Sequence, residues 1–355
     1  MSIETLARPE IRRLRPYEAA QQVTDTIRLN ANEAPWTSSG DSFRRPLNRY
    51  PEIRPAGLRA ALAAHYGCVP DNLLVTRGTS EAIDLLIRVF CRAGIDEIVT
   101  TTPTFSMYRH YAEIQGAGVC EVATSPEQDF ALDVDAILAA CTDKTRLIFI
   151  CTPNNPTGTL VPLAAIRELL ERRGDHSAIV IDEAYIEFAG EPSALGLLRE
   201  YPNLVVLRTL SKALAFAGAR CGTVIGPRGV IDMLNAVQAP YAMATPVIEC
   251  VEDALGGDSQ RQAVAAAAEL VRERERLTGS LRVLPFVIKL WPSAANFFLM
   301  RVSDATALLD HTRAEGILLR HFGADLADCV RVSVGSRLEN EKLLASLAAF
   351  AGETG

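Results

Sequence analysis

The sequence predicts an α/β protein: a large unit on a mostly parallel sheet, a smaller α+β unit after it, and an irregular N-terminal arm. Three observations carry that prediction. Short apolar, β-rich runs alternate with helical patterns between about residues 55 and 230. Most of these runs are continuous rather than alternating, as strands covered on both faces require. Beyond about residue 240 the order changes to long helices and then short apolar runs, the pattern of a separate α+β layer.

Taken in order, residues 1–40 are polar and interrupted by proline, and they form the arm, counted with the small unit. The large unit spans 41–240 and contains the strand runs "NLLVTRG" (72–78), "EIVTTTP" (97–103), "RLIFIC" (146–151), "AIVIDEA" (178–184), "NLVVLRTL" (203–210) and "CGTVIG" (221–226). Between them, "SEAIDLLIRVFCRAG" places Ala82, Ile83, Leu86, Val89 and Phe90 on one helical stripe, the spacing of a helix with a single buried face. The small unit, 241–355, begins at the joint "APYAMATP". It continues through "VAAAAELVRERERLTGSLRVL" to the strands "NFFLMRV" and "CVRVSVG".

Composition narrows the function classes. A formal charge of −7 over 355 residues gives no basic surface for nucleic acid or an anionic membrane. No run approaches the ~18 apolar residues of a membrane span, and "MSIETLARPEIRRLRPYEAA" has no apolar secretory core. Eight scattered cysteines without a C-x-x-C pair, several inside apolar runs, fit reduced thiols and a cytoplasmic location. Five histidines show no metal-ligand spacing, so no metal is expected.

Polar residues collect where apolar runs end. Gly78-Thr79-Ser80 follows the first strand, "CTPNNPTG" the third, Asp182 and Tyr185 the fourth, and Thr209, Ser211 and Lys212 the fifth. Each alone has a local explanation, since Ser and Thr cap helices and Asn, Pro and Gly make turns. Four such strand ends together describe a site, because ligands of open α/β sheets bind outside the carboxyl ends of the strands. Gly78-Thr79-Ser80 at a helix start suits a phosphate, with Thr209, Ser211 and Arg220 completing the cradle. A lysine in a partly apolar setting forms an imine with an aldehyde. A carboxylate pairs with a protonated ring nitrogen, while Asn155 and Tyr185 suit a phenolic oxygen. Phosphate, aldehyde, ring nitrogen and phenolic oxygen together describe pyridoxal 5′-phosphate.

The ordered motifs "NPTG", "DEAY" and "TLSKALAFAGARCG" resemble the fold-type I pyridoxal-phosphate-dependent transferases. With "LNANEAPW", "LNRYPE", "RGTSEAIDLLIRVFC", "DEAYIEF" and "RVSVGSR", the sequence from about Leu6 onward is similar to the histidinol-phosphate aminotransferase family within them. The resemblance implies that Lys212 is the Schiff-base lysine, that Asp182 pairs with the pyridinium, and that Asn155 and Tyr185 serve the ring hydroxyl. Gly78, Thr79, Ser80, Ser211 and Arg220 would hold the phosphate, with Thr209 beside them. Phe105 falls where an aromatic residue stacks on the cofactor; many relatives carry Tyr there, so stacking is kept and a phenolic hydrogen bond lost. Tyr50 would reach the cofactor phosphate of a neighbouring subunit, which implies a homodimer with shared sites.

The implied reaction exchanges the amino group between L-histidinol phosphate plus 2-oxoglutarate and imidazole-acetol phosphate plus glutamate, within histidine biosynthesis. Lys212 would act as general base and acid, a role that typically contributes ~10²–10⁴-fold, and the kinetics would be ping-pong. Arg331 in "CVRVSVG" would take the substrate's anionic end, with Arg320 and Tyr17 adding contacts to its phosphate. An aromatic aminotransferase or a decarboxylase of a phosphorylated amino acid are the alternative enzymes. A cofactor-binding sensor would need a helix-turn-helix and a basic surface, and a scaffold would have no use for Lys212 and Asp182 together.

Overall fold

The computed structural model describes residues 3–18, 20–22 and 26–354, so parts of the expected arm, including 23–25, lie outside the described residues. Seven strands form the first sheet: β1 (Leu73–Thr76), β2 (Glu97–Thr102), β3 (Gly118–Ala123), β4 (Thr145–Cys151), β5 (Ala178–Asp182), β6 (Leu204–Thr209) and β7 (Gly222–Ile225). Their order is β1-β7-β6-β5-β4-β2-β3. Only β7 runs antiparallel to its neighbours; the remaining pairs are parallel. The sheet is therefore mostly parallel, as the continuous apolar runs require.

The residues of β5 show why those runs do not alternate. Ala178 and Val180 face one core cluster, with Ile83, Leu86 and Phe90 of the helix Gly78–Phe90. Ile179 and Ile181 face the other, with Ile166, Leu169 and Leu170 of the helix Leu163–Arg173. Successive side chains of a strand point to opposite faces, and here both faces are covered. Each fully buried aliphatic contributes roughly 1.5–3 kcal/mol. The edge strand β3, "GVCEVA", is half exposed and has no continuous apolar run, so the sequence did not reveal it.

The second sheet contains β8 (Val287–Leu290), β9 (Phe297–Val302), β10 (Arg320–His321) and β11 (Cys329–Ser333), ordered β10-β11-β9-β8 and antiparallel throughout. The helices Asp258–Leu281, Ala305–Ala314 and Arg337–Thr354 accompany it. Its core joins Leu277 and Leu281 to Phe298, Met300, Val330 and Leu347. Two-residue β10 is too short for any sequence pattern to announce.

The start of the arm corrects the expectation that it goes with the small unit. Ile3 and Ala7 are buried in the cluster on the first sheet, beside Val230 and Leu234, and the Arg8 N–H donates to Val89 O at 2.9 Å. An apolar stripe hidden within a polar stretch is the reason. Past the expected joint at 240, Met243, Ile248 and Val251 also pack on the first sheet's side, against Leu58 and Leu62. The helix Thr245–Ala254 in turn holds the stretch after the arm: Glu249 accepts from the backbone N–H groups of Arg44 and Arg45. Among the described residues all eight cysteines are free. No helix there is long and apolar enough to cross a membrane.

Candidate active site

The carboxyl ends of β1, β4, β5 and β6 open into a cleft of about 680 Å³ whose opposite wall carries β10 and β11 of the second sheet. Thr79 and Ser80 line it after β1, Asn155 after β4, and Asp182 and Tyr185 at the end of β5. Thr209, Ser211 and Lys212 line it at the end of β6, with Arg220 before β7. Phe105, Arg320 and Arg331 complete the set. Twelve of the residues expected from sequence thus share one cleft.

Asp182 is 2% exposed. Its Oδ2 accepts from the Tyr108 hydroxyl at 2.8 Å, and its Oδ1 from the Ala184 N–H at 3.2 Å. Burial pushes its pKa up to about 6, against the opposing pull of those two hydrogen bonds and the Lys212 charge. A buried carboxylate with a raised pKa in a cleft is a functional-site signature.

Lys212 is open to the cleft, with Nζ 5.4 Å from the Tyr185 ring centroid. Its pKa is lowered, first by partial loss of hydration on the cleft floor and then by Arg331 and Arg220; Asp182 acts in the other direction. Tyr185 is buried, edge-on to Phe297 at 5.0 Å, and its hydroxyl accepts from Asn155 Nδ2 at 3.5 Å. Burial is the main cause of that phenol's raised pKa.

The second sheet supplies the cations. Arg331 Nη1 donates to Asn155 Oδ1 at 2.5 Å, and its guanidinium lies 5.1 Å from the Phe297 ring and 5.6 Å from that of Phe322. Burial, with a smaller contribution from Arg320, lowers the Arg331 pKa. Its Nε is buried without a partner among the described residues. Arg320 also stands 5.6 Å from the Phe322 ring centroid. Phe322 was not foreseen: nothing in "RHF" says that two guanidinium groups meet this ring.

At the other end, Gly78 begins a thirteen-residue helix with φ +76°, a conformation open to glycine. Arg220 folds over it: a Cβ on Gly78 would lie 2.6 Å from Arg220 Nη2. Gly222 of β7 is pressed against the same backbone, its own hypothetical Cβ 2.7 Å from the Gly78 carbonyl carbon. These two glycines let the helix start sit directly beneath Arg220. The Thr209 hydroxyl is engaged locally, accepting from the Ser211 N–H at 3.1 Å and donating to Ser211 Oγ at 3.0 Å. The side chains of Thr79, Ser80, Lys212 and Arg320 form no hydrogen bond or ion pair among the described residues.

Two expected residues lie elsewhere. Tyr50 is 48% exposed and stacks on Tyr241 at 4.7 Å. Tyr17 is 61% exposed and close enough to Tyr241 that, after burial, it is the next cause of that phenol's raised pKa. Neither lines this chain's own cleft.

Comparison with known proteins shows the family. A family model described as aminotransferase class I and II matches residues 17–347. The histidinol-phosphate aminotransferase of Xylella fastidiosa (strain 9a5c) is 42% identical over 96% of this chain and 95% of its own length. That of Sodalis glossinidius (strain morsitans) is 40% identical over 99% and 98%.

The chain belongs to the histidinol-phosphate aminotransferase family of class I and II aminotransferases.

Solved structures share the fold of these aminotransferases. The Sinorhizobium meliloti histidinol-phosphate aminotransferase in complex with pyridoxal-5′-phosphate aligns with TM-score 0.79 at 24% identity, covering 87% of this chain and 84% of that one. A mutant Thermus thermophilus aspartate aminotransferase aligns with TM-score 0.75 at 26% identity, covering 85% and 87%. The aminotransferase class I family is pyridoxal-phosphate-dependent, and the side chains present fit that cofactor. They include an amine without an ion pair, a buried carboxylate in the same cleft, and a helix start kept clear of any Cβ.

Proposed function

We infer that the protein transfers the amino group of L-histidinol phosphate to 2-oxoglutarate, giving imidazole-acetol phosphate and glutamate, in histidine biosynthesis. The observation that carries this reading is the single cleft holding Lys212 and Asp182 on one wall and Arg320 and Arg331 on the other. An amine and a carboxylate serve the cofactor, and two guanidinium groups serve an anionic substrate.

Thr79, Ser80, Ser211 and Arg220 would hold the cofactor phosphate at the Gly78 helix start, where backbone N–H groups and the helix dipole favour an anion. Asp182 would hold the ring nitrogen, Asn155 and Tyr185 the ring hydroxyl, and Phe105 a face of the ring. Thr209 supports Ser211 rather than adding a second hydroxyl. Pyridoxal phosphate, when bound, supplies an aldehyde and a protonated ring that takes up the electrons released with the substrate's α-proton.

Lys212 is the amine that would hold the cofactor aldehyde, and its depressed pKa favours the neutral, nucleophilic form. With its amine free, Lys212 Nζ would take the proton from the substrate Cα and hold it for return. Arg331 grips the substrate anion with its planar fork, and Arg320, without another ion pair, adds a second cation when that anion is a phosphate. One site thereby accepts both glutamate and the larger phosphorylated amine.

This reading includes a homodimer. Tyr17 and Tyr50 both neighbour Tyr241, exposed and outside their own cleft. A second copy would cover that face and receive Tyr50, with Tyr17, at its cofactor and substrate. Residues 41–240 then carry the cofactor and 241–355 the substrate arginines, in a cytoplasm that suits eight free cysteines.

The test is direct. Borohydride reduction of the purified, cofactor-loaded chain is expected to fix a pyridoxyl group on the Lys212 peptide, and 2-oxoglutarate to be consumed with histidinol phosphate. No adduct at Lys212 overturns the cofactor reading. Release of CO₂ without any oxo-acid requirement overturns transamination.

A further inference from the structure

The role of Asp182 depends on its remaining a carboxylate at neutral pH in a position that is 2% exposed. Water cannot provide that stabilisation, so protein donors must. The described structure supplies two: the Ala184 N–H at 3.2 Å to Oδ1 and the Tyr108 hydroxyl at 2.8 Å to Oδ2. The first comes from the turn that follows β5. The second comes from the helix Met107–Gln115, 74 residues away in sequence.

Tyr108 is built into place. It is fully buried, its ring stacked on Phe149 of β4 at 4.9 Å and 15°, with Phe105 edge-on at 5.7 Å. A fully buried ring stacked on one aromatic and met edge-on by another holds its hydroxyl at one point. Burial and the neighbouring Asp182 charge raise the phenol's pKa well above the ordinary value, so it stays a donor throughout the physiological range.

We propose that Tyr108 is a positioning residue for the reaction: its hydroxyl fixes one oxygen of Asp182 and holds that carboxyl ionised, so that the remaining lone pairs face the cofactor's ring nitrogen. This rests on the pyridoxal-phosphate reading above and adds a residue that does not line the cleft. The other titratable groups facing Asp182 are Lys212, Tyr185 and Cys151. Lys212 opposes protonation of Asp182 by its charge. Tyr185 and Cys151 are held neutral by burial, so they add no compensating charge. Among side chains, only Tyr108 gives Asp182 a hydrogen bond within the described residues.

The experiment compares cofactor affinity, read by absorbance and fluorescence titration from pH 5 to 9, in four proteins. They are the natural chain, Tyr108→Phe, Asp182→Asn and the double variant. Tyr108→Phe keeps the stacked ring and removes one oxygen. Loss of one hydrogen bond to a charged group is expected to weaken retention on the order of tenfold, with the acid limb of the affinity profile displaced to higher pH. In the Asp182→Asn background the same change is expected to have little further effect, because Tyr108 acts through Asp182. Should Tyr108→Phe fail to fold, 3-fluorotyrosine at position 108 keeps the packing and strengthens the donor, and the acid limb is expected to move to lower pH. An unchanged profile in the variant that folds, or equal losses in both backgrounds, overturns the proposal. Failure of the natural chain to bind the cofactor overturns the reading on which it rests.

Discussion

Arg331 Nη1 meets Asn155 Oδ1 at 2.5 Å, joining the second sheet to the loop after β4 across the cleft. Asn155 in turn donates to the Tyr185 hydroxyl at 3.5 Å. The group proposed to bind the substrate anion is thus wired to the two groups proposed to hold the cofactor's ring hydroxyl. A planar guanidinium makes this contact and still offers other N–H groups to a ligand.

Arg331→Lys is expected to separate those roles. Lysine keeps the charge but loses the fork and the pre-organised contact with Asn155. The KM for glutamate and for histidinol phosphate should rise roughly 10–100-fold, equivalent to one charge-assisted hydrogen bond, with a smaller change in kcat. Steady-state kinetics with both substrates measure it.

Lys212→Ala is expected to retain the fold, since the side chain is open to the cleft and makes no ion pair. Turnover should fall by at least ~10²–10⁴-fold, the typical contribution of a positioned general base. Mass spectrometry after borohydride reduction should find no pyridoxyl adduct at that position.

Asp182→Asn is expected to stabilise the cofactor-free chain at neutral pH. The carboxyl's pKa is about 6 when folded against an ordinary 3.8, so the folded state binds the extra proton between those values. Stability therefore falls as pH rises from about 4 to about 6. The shift corresponds to roughly 3 kcal/mol, which the neutral amide avoids. Urea unfolding at pH 7 should show the gain, and unfolding below pH 4 should show it vanish. Cofactor binding should be weaker at both.

Gly222→Ala tests the close approach beneath Arg220. The added methyl would lie 2.7 Å from the Gly78 carbonyl carbon and 2.9 Å from the Thr79 nitrogen, and backbone on both sides leaves no flexible group to move. A loss of about 1–3 kcal/mol is expected, as for overpacked cores, together with weaker cofactor retention because the helix start shifts. Thermal unfolding and cofactor titration read the two effects separately.

Mixing two inactive variants tests the shared site. In a hybrid of Lys212→Ala and Tyr50→Ala subunits, one site carries both defects and the other neither. A two-fold dimer with exchanged tyrosines would recover about a quarter of full activity on random reassortment. No recovery, with dimers verified by sedimentation, would show that Tyr50 serves its own chain.

Much of this was legible in one dimension. The strands β1, β2, β4, β5, β6 and β7 were announced by apolar runs because both sheet faces are covered. Lys212, Asp182 and Asn155 stood out because reactive types followed such runs directly. Gly78 was legible at the helix start, but Gly222 and the close approach of the two needed coordinates. Tyr108 gave no signal, because an aromatic residue at helical spacing from Phe105 reads as core until its hydroxyl is seen to reach Asp182. The start of the arm packs on the first sheet, not with the small unit, because the stripe of Ile3, Ala7 and Ile11 is too short to stand out in a polar stretch.

Sequence alone determined the class of chemistry, through residue types placed at strand ends and the order in which their motifs occur. Tertiary structure decided which of those residues share a cleft, which phenol steadies the carboxylate, and which tyrosines face away. Periodicity and turn preference act over a few residues of chain. Contacts such as Arg331 to Asn155 span 176 residues and exist only once two separate cores have packed.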